Sequence, residues 1–221
     1  ETLVGAFGLS YSLYSKTMGE FHIRVAQGLF SQIHESGFLI EGEDQQAYCE
    51  KCKRFLPDRY ILGTCPYCNA ERARGDQCDS CQKLLTPEEL KDSFCSVHGM
   101  KPEWRKSKHL YFDLPQFQDR LHSWMQKGPK QWRINAIAQT AGQLAQGLHS
   151  RAVTRDLTWG VPVPIEGFET KRMYVWFEAV MGYVSCSQEW AAMQGTPDAW
   201  RDWWINPDAL HYYVHGKDNI P

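Results

Sequence analysis

Phe7, Leu9, Tyr11 and Leu13 occupy alternating positions, a period of two that predicts a short extended segment with one apolar face within residues 1–15. The period then changes. Thr17 followed by Glu20 matches a capping box, Ile23, Ala26, Phe30 and Ile33 recur at helical spacing, and Gly37 offers a left-handed C-terminal position, so a helix is predicted near 18–36. From Tyr48 to Gly99 the apolar periodicity vanishes and Cys, Gly, Pro and charged residues take over, leaving little with which to bury a core.

Beyond that gap, Leu110, Phe112 and Leu114 alternate as a strand that Pro115 closes. Phe117, Leu121, Trp124 and Met125 then give an amphipathic helix ended by Gly128 and Pro129. A second helix near 131–148 places Trp132, Ala136, Ile137, Thr140, Ala141, Leu144 and Leu148 on one face. Val161 to Pro164 reads as extended, and Met173 to Phe177 and Leu210 to Val214 read as buried strands. Strands alternating with helices indicate an α/β body.

Composition narrows the class. Of 221 residues, 43% are apolar and 23% charged, values that exclude disorder and collagen-like repeats, and the length suits one large or two modest domains. No window approaches the roughly 18–20 unbroken apolar residues of a bilayer span, and the N-terminus has no signal-type stretch, so a soluble, unsecreted, cytoplasmic protein without a membrane partner is expected. The net charge of −2 provides no global positive field. A chain that opens at Glu1 and closes at Pro221, just after a strand-like run and a Gly-Lys-Asp turn, is expected to be a piece of a longer protein.

Eight cysteines are present, and seven lie between Cys49 and Cys95. They form four half-sites: Cys49 with Cys52, Cys65 with Cys68, Cys78 with Cys81, and Cys95 with His98. Two residues between ligands let one tight turn grip a tetrahedral ion while its N–H groups offset the sulfur charge. Four half-sites predict two zinc ions, structural because four protein ligands leave no position for water. Pro66 stiffens one turn, and Asn69 and Gly99 suit a left-handed backbone. Sequential, nested and crossed pairings are all closable. Taken alone, this module fits a free-standing zinc ribbon that binds nucleic acid or a partner. Between Tyr48 and Lys108, however, twelve Lys and Arg face nine Asp and Glu, and only Arg105, Lys106 and Lys108 cluster.

Further runs carry a resemblance. Thr154-Arg155-Asp156-Leu157-Thr158-Trp159-Gly160-Val161-Pro162-Val163-Pro164 leads into Tyr174-Val175-Trp176-Phe177-Glu178-Ala179 and then Gly182-Tyr183. His215-Gly216-Lys217-Asp218-Asn219-Ile220-Pro221 ends the chain, and Phe55-Leu56-Pro57-Asp58-Arg59-Tyr60 lies between two cysteine turns. In this order, around these cysteines, the chain resembles methionyl-tRNA synthetases over essentially its whole length. The resemblance implies an α/β fold that is part of a class I Rossmann-type catalytic core interrupted by a connective insert with zinc knuckles. Residues 1–17 and 174–221 would be core segments and 18–173 the insert, with the zinc module at 48–99. It also implies the nested pairing: Cys65, Cys68, Cys78 and Cys81 in one site, Cys49, Cys52, Cys95 and His98 in the other.

The implied activity is methionine–tRNA ligation: methionine and ATP, with Mg²⁺, give methionyl adenylate, and the methionyl group passes to tRNA(Met). Trp176, Ala179, Val180 and Tyr183 would bind methionine, since aromatic walls recognise a thioether by apolar burial and sulfur–aromatic contact worth about 0.3–1.5 kcal/mol. Arg155 would support that pocket, and Gly216 and Asp218 would meet the ribose of ATP, making Arg155 and Asp218 the expected catalytic-site residues. Val180 stands where many bacterial relatives carry Pro, and Arg151 where some carry an aromatic. The His-Ile-Gly-His-type and Lys-Met-Ser-Lys-Ser-type signatures, which the family places upstream and downstream, do not occur in these residues, so the chain by itself is expected to be inactive.

Overall fold

The computed structural model describes residues 3–83, 85–127 and 132–211. In chain order its elements are α1 (Leu3–Ala6), α2 (Glu20–Glu35), β1 (Leu39–Cys49), β2 (Arg54–Phe55), β3 (Ile61–Thr64), β4 (Ala73–Arg74), β5 (Lys91–Cys95) and β6 (Glu103–Phe112). There follow α3 (Gln118–Lys127), α4 (Ile134–Gln146), β7 (Arg151–Ala152), β8 (Thr154–Arg155), β9 (Arg172–Met173), α5 (Val175–Ala179), α6 (Met181–Met193) and α7 (Arg201–Trp204). Three sheets are ordered β2-β1-β6-β7, β4-β3-β5 and β8-β9. No described helix is long and apolar enough to cross a membrane.

The chain divides into two compact units, one of residues 1–40, 111–154 and 160–221, the other of residues 41–110 and 155–159. The first is held by phenylalanines from distant segments. Rings of Phe38 and Phe117 lie 4.9 Å apart, Phe117 and Phe112 5.4 Å, Phe112 and Phe177 5.6 Å, and Phe177 meets Phe30 edge-on at 5.9 Å. Offset and edge-to-face contacts of this kind add about 0.5–1.5 kcal/mol each to the area they bury. Nearby, Val161, Val163, Phe168 and Met173 are buried in a hairpin closed by Met173 N–H to the Val161 carbonyl.

Helix α2 forms where its period predicts, but its ends and inward stripe differ. Gly19, not Thr17, is the N-cap, with no side-chain cap bond. The capping box fails because the helix starts two residues too late for Thr17 to reach its free N–H groups. The buried stripe runs His22, Ala26, Phe30, so a histidine takes the place expected of Ile23. The C-terminus is as expected: Gly37 is left-handed at φ 75°, and Phe38 N–H reaches back to the Ile33 carbonyl.

Two predicted strands are absent. Residues 7–15 pair with nothing as a strand, and Phe7, Leu9 and Tyr11 are exposed; alternation without a partner edge does not make a strand. Met173 to Phe177 is not extended throughout. The ladder ends at Met173, Tyr174 N–H still bonds the Val153 carbonyl, and the Tyr174 carbonyl then accepts from Glu178 N–H as the first helical bond of α5. A helix turns both Phe177 and Glu178 inward, whereas a strand would separate them onto opposite faces. Strand β6 stops at Phe112, before Leu114, and α4 begins at Ile134. The Gly128–Pro129 stop and most of the Leu210–Val214 strand lie outside the described residues.

Phe30 is fully buried at the end of the phenylalanine chain, so Phe30→Ala is expected to lower unfolding free energy by about 3–5 kcal/mol, read from the urea midpoint at unchanged slope.

Candidate functional site

The cysteine-rich unit is built from one turn used four times. Each half-site has a left-handed residue four positions after its first ligand: Lys53 (φ 52°), Asn69 (57°), Gln82 (59°) and Gly99 (66°). In three of them that residue's N–H returns to the carbonyl of the first ligand, from Asn69 to Cys65 at 3.0 Å, Gln82 to Cys78 at 2.8 Å and Gly99 to Cys95 at 2.8 Å. In the fourth, Cys52 N–H points at the Cys49 sulfur at 3.4 Å. The first ligand of every turn is buried and the second less so. Only the Asn69 and Gly99 positions were legible from residue type.

Pairing of β3 with β5 sets Cys95 opposite Ile61, and β1 with β2 sets Cys49 opposite Arg54. Close approach of β3 and β5 requires Gly63, where a Cβ would lie 2.8 Å from the Lys91 carbonyl oxygen. The ligand atoms gather in two groups, each within 4.8 Å: Cys49, Cys52, Cys95 and His98, and Cys65, Cys68, Cys78 and Cys81. The geometry is therefore nested, the inner group closing inside the loop of the outer.

Donor chemistry and spacing fit a tetrahedral cation. With metal–sulfur bonds of ~2.3 Å, the edge of an S₄ tetrahedron is about 3.8 Å. Cys65 and Cys81 sulfurs are 3.9 Å apart, Cys68 and Cys78 3.6 Å, and Cys52 and Cys95 3.7 Å. His98 Nδ1 lies 3.1 Å from Cys52 and 3.8 Å from Cys49, around the ~3.6 Å of a mixed N–S edge. These two groups can each hold a metal ion.

Electrostatics show why they need one. Burial pushes the Cys49 thiol up, but the Cys52 N–H and the His98 ring outweigh it and bring it down to about 6. Cys52, desolvated and beside the Cys49 sulfur, is pushed up to about 11. In the inner group the Cys81 N–H leads in lowering Cys78 to about 7. For Cys68 the Ala70 N–H favours the thiolate, yet desolvation and the neighbouring sulfurs together drive it up to about 12. In each group one thiolate is favoured and another is resisted by its neighbours, a repulsion that a bound cation would relieve.

The basic cluster of this unit is compensated. Arg105 pairs with Glu50 and with Glu103 at 2.8 Å and covers the Tyr48 ring, Lys108 meets Glu41 at 2.5 Å, and Lys106 meets Glu43 at 3.8 Å. Such pairing offsets the charge of this cluster, which weakens its attraction for phosphates. Arg155, at the end of β8, belongs to the same unit; burial pushes the Asp58 carboxyl up, and the Arg155 charge draws it back. Beside it, Asp156 accepts from Ser107 Oγ at 2.5 Å.

Trp176, Ala179, Val180 and Tyr183 lie in the other unit, where α5 passes into α6 through Val180 in helical geometry (φ −62°, ψ −34°). Positions i, i+3, i+4 and i+7 share one helical face. That face looks outward: Trp176, Val180 and Tyr183 are 62%, 65% and 57% exposed. The other side carries a buried polar set absent from the sequence reading. Glu178 Oε2 lies 2.7 Å from His22 Nε2, and His22 Nδ1 2.8 Å from Ser185 Oγ. Its only prior signal was a polar residue at position 22 in phase with Ala26 and Phe30. Gly216 and Asp218 lie outside the described residues.

A family model described as tRNA synthetases class I (M) matches residues 1–221. Among curated relatives, the methionine–tRNA ligase of Thermomicrobium roseum is 47% identical over 214 residues, covering 97% of this chain and 36% of its own length. That of Dehalococcoides mccartyi is also 47% identical, with 38% of its length covered, and that of Pyrobaculum aerophilum is 43% identical over 215 residues. Mycobacterium tuberculosis methionyl-tRNA synthetase, solved in complex with methionyl-adenylate, superposes with a TM-score of 0.55 at 17% identity, covering 91% of this chain and 34% of that one, a likeness of fold. The α/β architecture, with two ligand groups that could each hold a metal ion, is thus that of a class I aminoacyl-tRNA synthetase. Within that class the chain belongs to the methionyl family, and it spans little more than a third of the curated relatives it matches.

Reduced protein is expected to carry two zinc ions by elemental analysis. Cys49→Ser with Cys95→Ser should leave one, the inner group being complete without them; loss of both from a protein that keeps its circular dichroism would show that the cages are not independent.

Proposed function

We propose that this chain is the insert-bearing part of a methionine–tRNA ligase, with residues 1–17 and 174–221 in the catalytic core and 18–173 as the connective insert. The parent enzyme joins methionine to ATP, as its Mg²⁺ complex, forming methionyl adenylate and releasing pyrophosphate, and then transfers the methionyl group to tRNA(Met) in the cytoplasm. Zinc is the cation suited to the two cages, in a structural role, because Cys₄ and Cys₃His leave no open coordination position. It supplies cross-linking of a segment whose apolar core is small, and no chemical step passes through it.

The observation that carries this reading is the outward stripe of Trp176, Val180 and Tyr183 with Ala179 between them. A chain of this family that leaves an indole, a phenol and an isopropyl group uncovered in one helical line presents a surface fit for an unbranched thioether. Arg155 is assigned to support the amino-acid pocket, and Gly216 and Asp218 to the ribose of ATP, where a carboxylate after a strand accepts from hydroxyls and glycine permits close approach.

Activation depends on positioning and neutralising phosphate charge, where each 1.36 kcal/mol is about tenfold in rate. The phosphate-binding signatures are absent from these residues. The 221-residue chain is expected to show no methionine-dependent ATP–pyrophosphate exchange, and robust exchange would place the catalytic groups inside it. In the full-length enzyme Trp176→Ala is expected to raise the methionine KM by roughly 10–100-fold, or about 1.4–2.8 kcal/mol. An unchanged methionine KM would remove Trp176 from the site.

A further inference from the structure

The buried set Glu178–His22–Ser185 has the residue types of a nucleophilic triad, but the serine is sealed off. His22, Glu178 and Ser185 are 2%, 5% and 2% exposed, so no substrate reaches the hydroxyl. The bonding is nonetheless specific. A carboxylate only accepts, so the Nε2 that faces Glu178 carries the hydrogen. Ser185 Oγ is shared between His22 Nδ1 at 2.8 Å and the Gly182 carbonyl at 3.1 Å. One imidazole from α2 therefore grips two residues that stand on either side of Val180, where α5 gives way to α6.

The grip lies opposite the exposed stripe. At about 100° per residue, Glu178, Gly182 and Ser185 fall on one side of the helix and Trp176, Ala179, Val180 and Tyr183 on the other. Beside the apolar Phe177 and Met181, the inward side at this junction is a carboxylate, a glycine and a hydroxyl, and non-directional apolar contacts do not by themselves fix its fine rotation. Directional hydrogen bonds do, because a small rotation breaks them and strands buried polar atoms. A Cβ at Gly182 would stand 3.6 Å from Thr17 Cγ2 and 4.0 Å from His22 Cε1, ordinary contact distances that place this face of the helix against the start of α2.

We propose that His22 is a positioning residue for methionine recognition: by bridging Glu178 and Ser185 it fixes the phase of the α5–α6 helix and so aims Trp176, Val180 and Tyr183. The inference rests on the assignment of that stripe to methionine. It gives the first helix of the proposed insert a share in substrate selection through a residue that touches no substrate.

The test is pyrophosphate exchange by the full-length synthetase, varying methionine and ATP separately. Ser185→Ala removes one hydroxyl at nearly constant volume and is expected to raise the methionine KM about 3–10-fold with the ATP KM within twofold. His22→Gln is expected to do more, and if it fails to fold the serine variant still decides. Added to Trp176→Ala, Ser185→Ala is expected to cost less than it does alone, since the ring it aims is gone. Equal rises in both KM values, or a full additive cost on top of Trp176→Ala, would overturn the proposal. A raised methionine KM in Trp176→Ala with none in Ser185→Ala would overturn it and leave the stripe assignment standing. Trp176→Ala without effect would remove Trp176 from the stripe assignment; Ser185→Ala would then support the proposal through Val180 and Tyr183 if it still raised the methionine KM, and overturn it if it did not.

Discussion

Seven thiols and one imidazole, held by four copies of the same turn, form two cages whose sulfurs repel one another once ionised. Everything else in the unit of residues 41–110 and 155–159 follows from that constraint. Its buried cluster sets Cys49, Cys65, Cys78 and Cys95 among Ala47, Leu56, Ile61, Ala73, Leu85 and Leu90, so the ligands form part of the core. Strands of two to five residues such as β2, β3, β4 and β5 are too short to hold by themselves. Cross-linking by a cation would add to what this apolar cluster supplies. Nesting also means that the inner cage closes a short loop and the outer a longer one, so the chain-entropy cost of closing the outer is smaller when the inner is already closed.

The other unit solves the same problem by ordinary means. Phenylalanines drawn from α2, β6, α5 and the segments around them interlock, and buried valines and methionine fill the hairpin of residues 161–173. One departure from apolar packing is the Glu178–His22–Ser185 set, placed under a helix whose outer face carries the exposed Trp176, Val180 and Tyr183. A rigid inner face and an uncovered outer face on the same helix are what a binding wall requires, because affinity for a small apolar ligand falls when its contacts are free to turn.

The division of charge separates two readings of a cysteine-knuckle protein. A free-standing ribbon that binds nucleic acid needs an uncompensated basic surface, whereas Arg105, Lys106 and Lys108 each face a glutamate. Family membership accords with that charge pattern. Arg155 and Asp156, one motif in sequence, lie in the cysteine-rich unit, where Asp156 accepts from Ser107 and the Arg155 charge favours the Asp58 carboxylate.

Local chemistry was legible where it depends on neighbours in the chain. The Cys-x-x-Cys spacing, the left-handed Gly37 and Gly99, and the 3.6-residue period of α2, α3 and α4 concern atoms a few residues apart, and the structure contains each of them. Grouping of the eight ligands was open from spacing alone, since all pairings close; only the β1–β2 and β3–β5 registers bring Cys49 toward Cys95. The same limit explains the misread segments. Phe7 to Leu13 alternates yet finds no partner strand, and Met173 to Phe177 is apolar enough for a strand but bends into a helix because Phe177 must meet Phe30 while Glu178 meets His22. His22 lay outside the predicted stripe of Ile23, Ala26, Phe30 and Ile33. Its partners lie 156 and 163 residues away, and hydrogen bonds over such separations leave no period in the sequence, so only the folded chain could pair them.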